Sequence, residues 1–443
     1  MIRKDYPDLI FQTQKEKFDA IVVGAGIAGS TAAYVMAKAG LDVLVIERGN
    51  YPGSKNMTGG RLYAHSLERV IPGFAKEAPV ERRVTREKIS FMTEEDTVTL
   101  DYHSAAPKTP EAESYTVLRG KFDQWLASKA EEAGAQFIPG IRVDRLLQDE
   151  SGRITGVQAG EDELEANVVI LADGVNSLLA KSIGMLPEYT PHQYAVSAKE
   201  VIELPKKVIE DRFGLTGDEG VAWLFAGSCS DGLMGGGIIY TNEDTVSLGI
   251  VCGLGEIEKA GKTVPQMLED LKNHPSVKPL IEGGKIVEYS GHMVPEGGYA
   301  MVPKKLAGDG VMITGDAAGL CINLGFIVRG MDLAVTSGEL AGRAVIAAKE
   351  KGDFSAAGLA SYQTELEKSF VIRDMKQYQD VPHLIENPRL FTVYPELVAG
   401  IMRDLFRIDG SPVPPVRSML WKHVKQAGAW NLIKDGYGWG KAL

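Results

Sequence analysis

Residues 18–48 read FDAIVVGAGIAGSTAAYVMAKAGLDVLVIER. An apolar run (Ile21, Val22, Val23) meets Gly24-Ala25-Gly26-Ile27-Ala28-Gly29, then a small-residue helical pattern, then a second apolar run ending on Glu47. This is the pattern of a dinucleotide-binding βαβ unit. Gly24 permits the tight turn, Gly26 lets a pyrophosphate approach the backbone, and Gly29 lets helix and strand pack closely. The diphosphate belongs on the helix N-terminus, beside Ile27 and Ala28, where free N–H groups and the helix dipole favour an anion. Glu47 stands where a carboxylate accepts from both ribose hydroxyls. A lone GxGxxG describes many glycine-rich turns. Here the strand before it, the helix after it and the acid at the next strand's end make it specific.

Working outward, RGNYPGSKNMTGGRL (48–62) reads as a loop placed at the far end of the nucleotide. It brings Arg48, Lys55, Asn56, Thr58, Gly59, Gly60 and Arg61 towards the ligand. Arg119, at a predicted helix start in VLRGKFDQWL, is positioned to reach a phosphate, although a solvated helix-end arginine fits the spacing equally well. Val168–Leu171 runs as a buried strand into Ala172-Asp173-Gly174. The second strong signal is Val311–Asp316, a parallel core strand running into Gly315-Asp316-Ala317-Ala318-Gly319. An Asp at a strand's C-terminal end bonds a ribityl chain, and Asn323-Leu324-Gly325 is expected to open a helix whose N–H groups face the flavin ring. Such a dipole stabilises an anionic reduced ring. With the upstream GxGxxG and acid, the expected cofactor is FAD, which carries the hard chemistry itself.

The bulk properties set limits. A chain of 443 residues holds about two or three domains. A net charge of −11 argues against general nucleic-acid binding. The three cysteines, Cys229, Cys252 and Cys321, are far apart. That excludes a disulfide framework and an iron–sulfur cluster held by this chain alone, since clusters need about four thiolates. A reducing, cytoplasmic compartment follows. No apolar run of about 18 residues exists to span a bilayer, which leaves a peripheral position on the inner membrane face open.

The predicted architecture is α/β: an FAD-binding Rossmann-like domain with an inserted, mainly β substrate domain and a C-terminal helical region. Residues 18–88, 115–190 and 300–352 are assigned to a discontinuous FAD-binding domain. Residues 89–114 and 191–299 form a β-rich quinone or substrate domain, and 353–443 a helical region. Trp223, Leu224, Phe225, Leu233, Met234, Ile238 and Ile239 suit a quinone site or a membrane surface, and suit the core of a β-sheet equally well. Cys321 reads as packing. No histidine spacing suggests a metal site, and no nucleophile or general base is called for.

Several segments resemble one family. KNMTGGRL (55–62), VLRGKFDQWL (117–126), VILADGVNSLLA (169–180), GDAAGLCINLGFIVRGMDLA (315–334) and YPELVAGIMRDLF (394–406) resemble the electron-transfer-flavoprotein:quinone oxidoreductases, and within them the FixC subgroup. The resemblance covers nearly the whole chain, and NLGFIVRGMD, with Gly325 and Phe326, is its most diagnostic part. Fused members end in a cysteine-rich ferredoxin-like domain that this sequence lacks. The resemblance implies FAD, a quinone, an electron-transfer flavoprotein pair (FixA and FixB) and a separate small ferredoxin-like subunit (FixX). Two alternatives share the plan: a geranylgeranyl-reductase-like or hydroxylase-like flavoenzyme, and a non-catalytic GxGxxG binding protein. The latter has no use for the 316–325 segment.

The tail, residues 411–443, sets Arg417, Lys422, Lys425, Lys434 and Lys441 against Asp435 alone and interleaves Trp421, Trp430, Tyr437 and Trp439. Basic and aromatic residues together suit an acidic partner or a headgroup surface. The expectation is docking of the ferredoxin-like subunit, with membrane contact second.

Overall fold

The computed structural model describes residues 17–56 and 59–443. Thr58 and most of the charged N-terminal stretch lie outside the described residues. Phe18–Val23 is the centre of a parallel sheet: Val22 lies opposite Val45 of Val43–Glu47 on one side and Ile170 of Asp162–Leu171 on the other. Val311–Ile313 pairs in parallel beyond Asp162–Leu171, and Gln136–Pro139 beyond Val43–Glu47. Strands covered on both faces become continuous apolar runs, which is why the sequence reports them so clearly.

Two helices cover one face, Ile27–Lys38 and Met331–Lys351. They approach backbone to backbone: a Cβ on Gly338 would lie 2.2 Å from the Ala28 carbonyl oxygen. The Ala- and Gly-rich sequences of both helices follow from this contact.

The second sheet has nine strands, ordered Lys285–Pro295, Tyr194–Glu203, Thr245–Gly253, Gly235–Thr241, Glu219–Gly227, Val80–Met92, Ser114–Val117 and Gly60–Tyr63, with Thr97–His103 paired to Val80–Met92. Helices Lys206–Phe213 and Val264–Asn273 pack on one face over Ala198, Ile202, Ile239 and Leu248. Two local readings differ from the expectation. Within the 48–62 stretch the described residues 48–56 and Gly59 form a loop, whereas Gly60–Tyr63 is an edge strand of this sheet. Strand Val80–Met92 also runs unbroken through position 88, where the sequence placed a domain boundary. Its charges concealed it, and each has a partner. Arg82, 2% exposed, donates to the carbonyls of Asn242, Gly217, Glu219 and Glu243. Arg86 pairs with Asp101, and Glu87 with Arg61.

A third difference concerns Asn323-Leu324-Gly325. It opens no helix: Ile322–Asn323 pairs with Val328–Arg329 as a short hairpin, and the helix begins at Met331. Asn323 Oδ1 accepts from the Gly325 N–H at 2.8 Å, an Asx turn that diverts the backbone from helix. The remaining chain is helical, from Ala360–Lys368 to Ala429–Ala442. Among the described residues no helix is long and apolar enough to cross a membrane.

Candidate flavin site

The glycine loop divides its work as the spacing requires. Gly24 has φ +101°, and a Cβ there would lie 2.4 Å from the Ala172 carbonyl oxygen. A Cβ on Gly29 would lie 2.0 Å from the Gly24 carbonyl oxygen. Both positions are closed by the protein's own backbone. Gly26 is different: the nearest atom to a Cβ would be Asn56 Nδ2 at 3.8 Å, so its open side faces a cavity. Helix Ile27–Lys38 points its N-terminus there with no acid in its first turn, leaving the anion-binding end uncompensated.

Glu47 is buried, and its two oxygens accept from the Ala25 N–H at 2.8 Å and the Gly49 N–H at 2.6 Å. These two bonds brace the phosphate loop. The second lone pair of each oxygen is free for a ribose hydroxyl.

The cavity, about 890 Å³, runs between the two sheets. Of the residues expected at the cofactor, Gly26, Ile27, Ala28, Asn56, Gly59, Gly60, Arg61, Arg119, Gly174, Asp316, Gly325 and Phe326 line it. Gly24, Gly29, Glu47, Asp173 and Gly315 are not part of that lining, and Arg48 and Lys55 are exposed outside it. Arg119 and Arg61 are less free than the sequence suggests. Arg119 forks onto Asp123 (2.7 and 2.8 Å), which also accepts from Asn56 Nδ2 at 2.6 Å. Arg61 is held by Glu87 and by Ser114 Oγ.

The carboxyl of Asp316 accepts no hydrogen bond from any described residue and faces the cavity, and its burial raises its pKa against the pull of Arg119. A polyol chain would supply the missing donors, so the residues fit an FAD. Asp173, which accepts from Ser177 Oγ at 3.0 Å, is pushed up to about 6 by burial.

Besides Tyr240, three titratable residues on the wall escaped the sequence reading. Lys199, on strand Tyr194–Glu203, is 2% exposed, and burial with the nearby Arg119 charge lowers it to about 7. Burial lowers His292 to about 4 and raises Glu296 to about 7, the latter accepting from Asn323 Nδ2 at 3.0 Å. No local signal marked Lys199: its strand is buried on both faces, and the partner opposite it, Gly249, is set by the sheet register. The Cys321 thiol also lines the cavity. Burial and the acids Glu296, Asp316 and Asp332 hold it protonated, as a packing role requires.

The apolar end divides the residues that the sequence left open. Leu224, Phe225, Met234 and Ile238 line the cavity, whereas Trp223 and Ile239 belong to the sheet's core and Leu233 packs against it. The C-terminal region completes the wall with Leu390, Phe391, Val398, Trp439 and Leu443, contacts that no local pattern predicts.

Comparison with known proteins places this architecture. An FAD-binding domain profile matches residues 17–369, and the C-terminal domain profile of the ETF-QO/FixC family matches residues 381–443. A probable electron transfer flavoprotein-quinone oxidoreductase of Escherichia coli K12 is 65% identical over 97% of this chain and 99% of its own. Protein FixC of the same strain is 59% identical, covering 95% of this chain and 97% of its own. Among solved structures, a geranylgeranyl bacteriochlorophyll reductase-like protein from Thermoplasma acidophilum superposes with a TM-score of 0.70 at 21% identity, over 96% of this chain and 99% of that one. That likeness establishes the fold alone.

The fold and the cavity define an FAD-dependent oxidoreductase. The chain belongs to the electron transfer flavoprotein-quinone oxidoreductase/FixC family.

Proposed function

We propose that the chain passes electrons between a protein donor and a quinone through FAD held in the cavity between its sheets. One observation carries the reading: a single cavity is polar and phosphate-ready at Gly26 and Asp316, and apolar at Leu224, Ile238, Phe391 and Trp439. A dinucleotide suits the first end and a prenylated quinone the second. In this assignment the Ile27–Lys38 N-terminus holds the diphosphate, Glu47 the ribose, Asp316 the ribityl chain, and Asn56, Gly59, Gly60 and Arg61 with Gly325 and Phe326 the ring. Arg119 orders Asp123 and Asn56 at the ring's edge. When bound, FAD supplies two-electron chemistry and needs no protein nucleophile. The apolar walls exclude water from the transfer.

The donor side is assigned by family: an electron-transfer flavoprotein of the FixA/FixB kind, with a small ferredoxin-like FixX subunit supplying the iron–sulfur cluster. Supporting this, Cys229 and Cys252 are buried apart from the cavity, and three cysteines fall short of a cluster's ligands. The C-terminal helices, whose exposed aromatics sit among basic side chains, are proposed to dock that small subunit, with peripheral membrane contact second. The test is anaerobic. The purified yellow chain, reduced chemically, should be reoxidised by a short-chain quinone within a few turnovers. Flavin that stays reduced with excess quinone, or stoichiometric iron in the isolated chain, overturns the reading.

A further inference from the structure

Lys199 is an ammonium-bearing side chain in an unusual place. Its Nζ donates to the Gly59 carbonyl at 2.6 Å and stands 5.6 Å from the centre of the Tyr240 ring. Among the described residues no carboxylate pairs with it. Its stem lies over Gly249, where any Cβ would come within about 3.0 Å of the Lys199 Cγ, so the strand leaves room for it. The other charged or titratable groups on the cavity wall are Arg119, Arg61, His292, Glu296, Asp316, Tyr240 and Cys321, the last two held protonated by burial. Arg61 is paired with Glu87, and Arg119 with Asp123. Lys199 is therefore the wall's cation without an anion, tied to the loop that the function assigned above places against the flavin.

We propose that Lys199 is the proton store of this site, gaining one proton as the flavin is reduced and giving it to the quinone as the flavin is reoxidised. The balance is simple. A quinone becoming a quinol takes two electrons and two protons. The reduced cofactor supplies both electrons and one proton. The second comes from the Lys199 ammonium: its N–H bond breaks, a quinone O–H bond forms, and a neutral amine remains. When a donor next delivers two electrons, two protons enter, one to the cofactor and one to Lys199. The driving force is charge. An unpaired ammonium is costly in this buried wall while the flavin is neutral, and is stabilised once a negative charge arrives beside it. The amine is poised for this, since burial and Arg119 already hold it at about 7.

This inference rests on the flavin occupying the cavity, which colour and flavin content of the native chain report separately. The test is the pH dependence of the flavin midpoint potential in the isolated holoprotein. The native slope should correspond to two protons per electron pair above about pH 7 and to one below it. Lys199→Met should show the one-proton slope throughout. Lys199→Arg keeps a donor for the Gly59 carbonyl but a fixed charge, and should likewise halve the slope above the break. Glu296→Gln should leave the break in place. A native slope of one proton at every pH overturns the proposal. So does a break that survives in Lys199→Arg, or one that disappears in Glu296→Gln.

Discussion

The carboxylate of Asp435, in the last helix, closes on the Arg389 guanidinium in a fork, with Oδ2 2.8 Å from Nε and Oδ1 2.6 Å from Nη2. Asn387 Nδ2 adds a bond at 2.8 Å and the Tyr394 hydroxyl another. This cluster fastens helix Ala429–Ala442, and with it Trp439 and Leu443, over the cavity. Arg389, with its helper bonds, pulls Asp435 down to about 2. The folded value lies below the unfolded one near 3.9, so the stabilisation is present above about pH 4 and lost as pH falls towards 2. Arg389 is about a third exposed, which limits the net worth to about 1 kcal/mol. Asp435→Asn should therefore lower Tm at neutral pH by about 1 °C, and the gap to native protein should close on acidification. A gap as wide near pH 2 as at pH 7 would refute the assignment.

The glycine loop predicts a dissociation between binding and folding. Gly26→Val places its side chain in open space, so the apoprotein should fold normally and purify colourless. Gly29→Ala drives a Cβ into the Gly24 carbonyl oxygen and should destabilise the apoprotein by roughly 1–3 kcal/mol through overpacking. Denaturant unfolding of the two apoproteins, beside their flavin content, separates them. Full flavin absorbance in Gly26→Val would remove the diphosphate from this loop.

Gly59 and Gly60 should differ in the same way. A Cβ on Gly59 would lie 2.2 Å from Ser247 Oγ, at a φ of +66° that valine avoids. A Cβ on Gly60 meets only the flexible Met331 Sδ at 3.3 Å. Gly59→Val should release the loop from the second sheet and lower flavin occupancy several-fold, whereas Gly60→Ala should leave occupancy near native. Equal, undiminished occupancy and unchanged potential in both would detach this loop from the flavin.

These contrasts mark what the sequence made legible. The parallel strands around Val22, Ile170 and Met312 are buried on both faces and read as unbroken apolar runs. Glu47 and Asp316 announce themselves as acids at strand ends. What escaped depends on distant partners. Strand Val80–Met92 is disguised by arginines whose bonds run to residues as far away as Asn242. Lys199 looks like a solvated charge until Gly249 and Gly59 are placed beside it, and Trp439 reaches the cavity on a helix that Asp435 ties to Arg389. Asn323-Leu324-Gly325 misled locally, because the Asx turn it forms is an alternative to the helix start that it resembles.

The tail carries the last prediction. Helices Val416–Ala427 and Ala429–Ala442 expose Trp421, Trp430, Ile433 and Tyr437, the last 76% exposed, and Phe406 and Ile408 stand free nearby, 77% and 75% exposed. Lys425 lies 5.7 Å from the Trp421 ring, so cation and aromatic are presented together. Apolar residues this exposed mark an interaction face rather than a core. Basic and aromatic side chains together suit an acidic protein, so the small iron–sulfur subunit proposed above is the expected partner and an anionic membrane the competing one. Because Trp439 belongs to the cavity wall, the test uses outward residues only. Trp430→Ser with Tyr437→Ser should leave flavin content and Tm unchanged and weaken co-purification of the small subunit at least tenfold. Lys434→Glu should weaken it further at low salt than at high salt, since exposed charges are screened within about 10 Å at 0.1 M. Flotation with anionic vesicles reads the competing outcome. Loss of vesicle binding with subunit association intact would assign the face to the membrane, and no change in either would return these aromatics to plain surface.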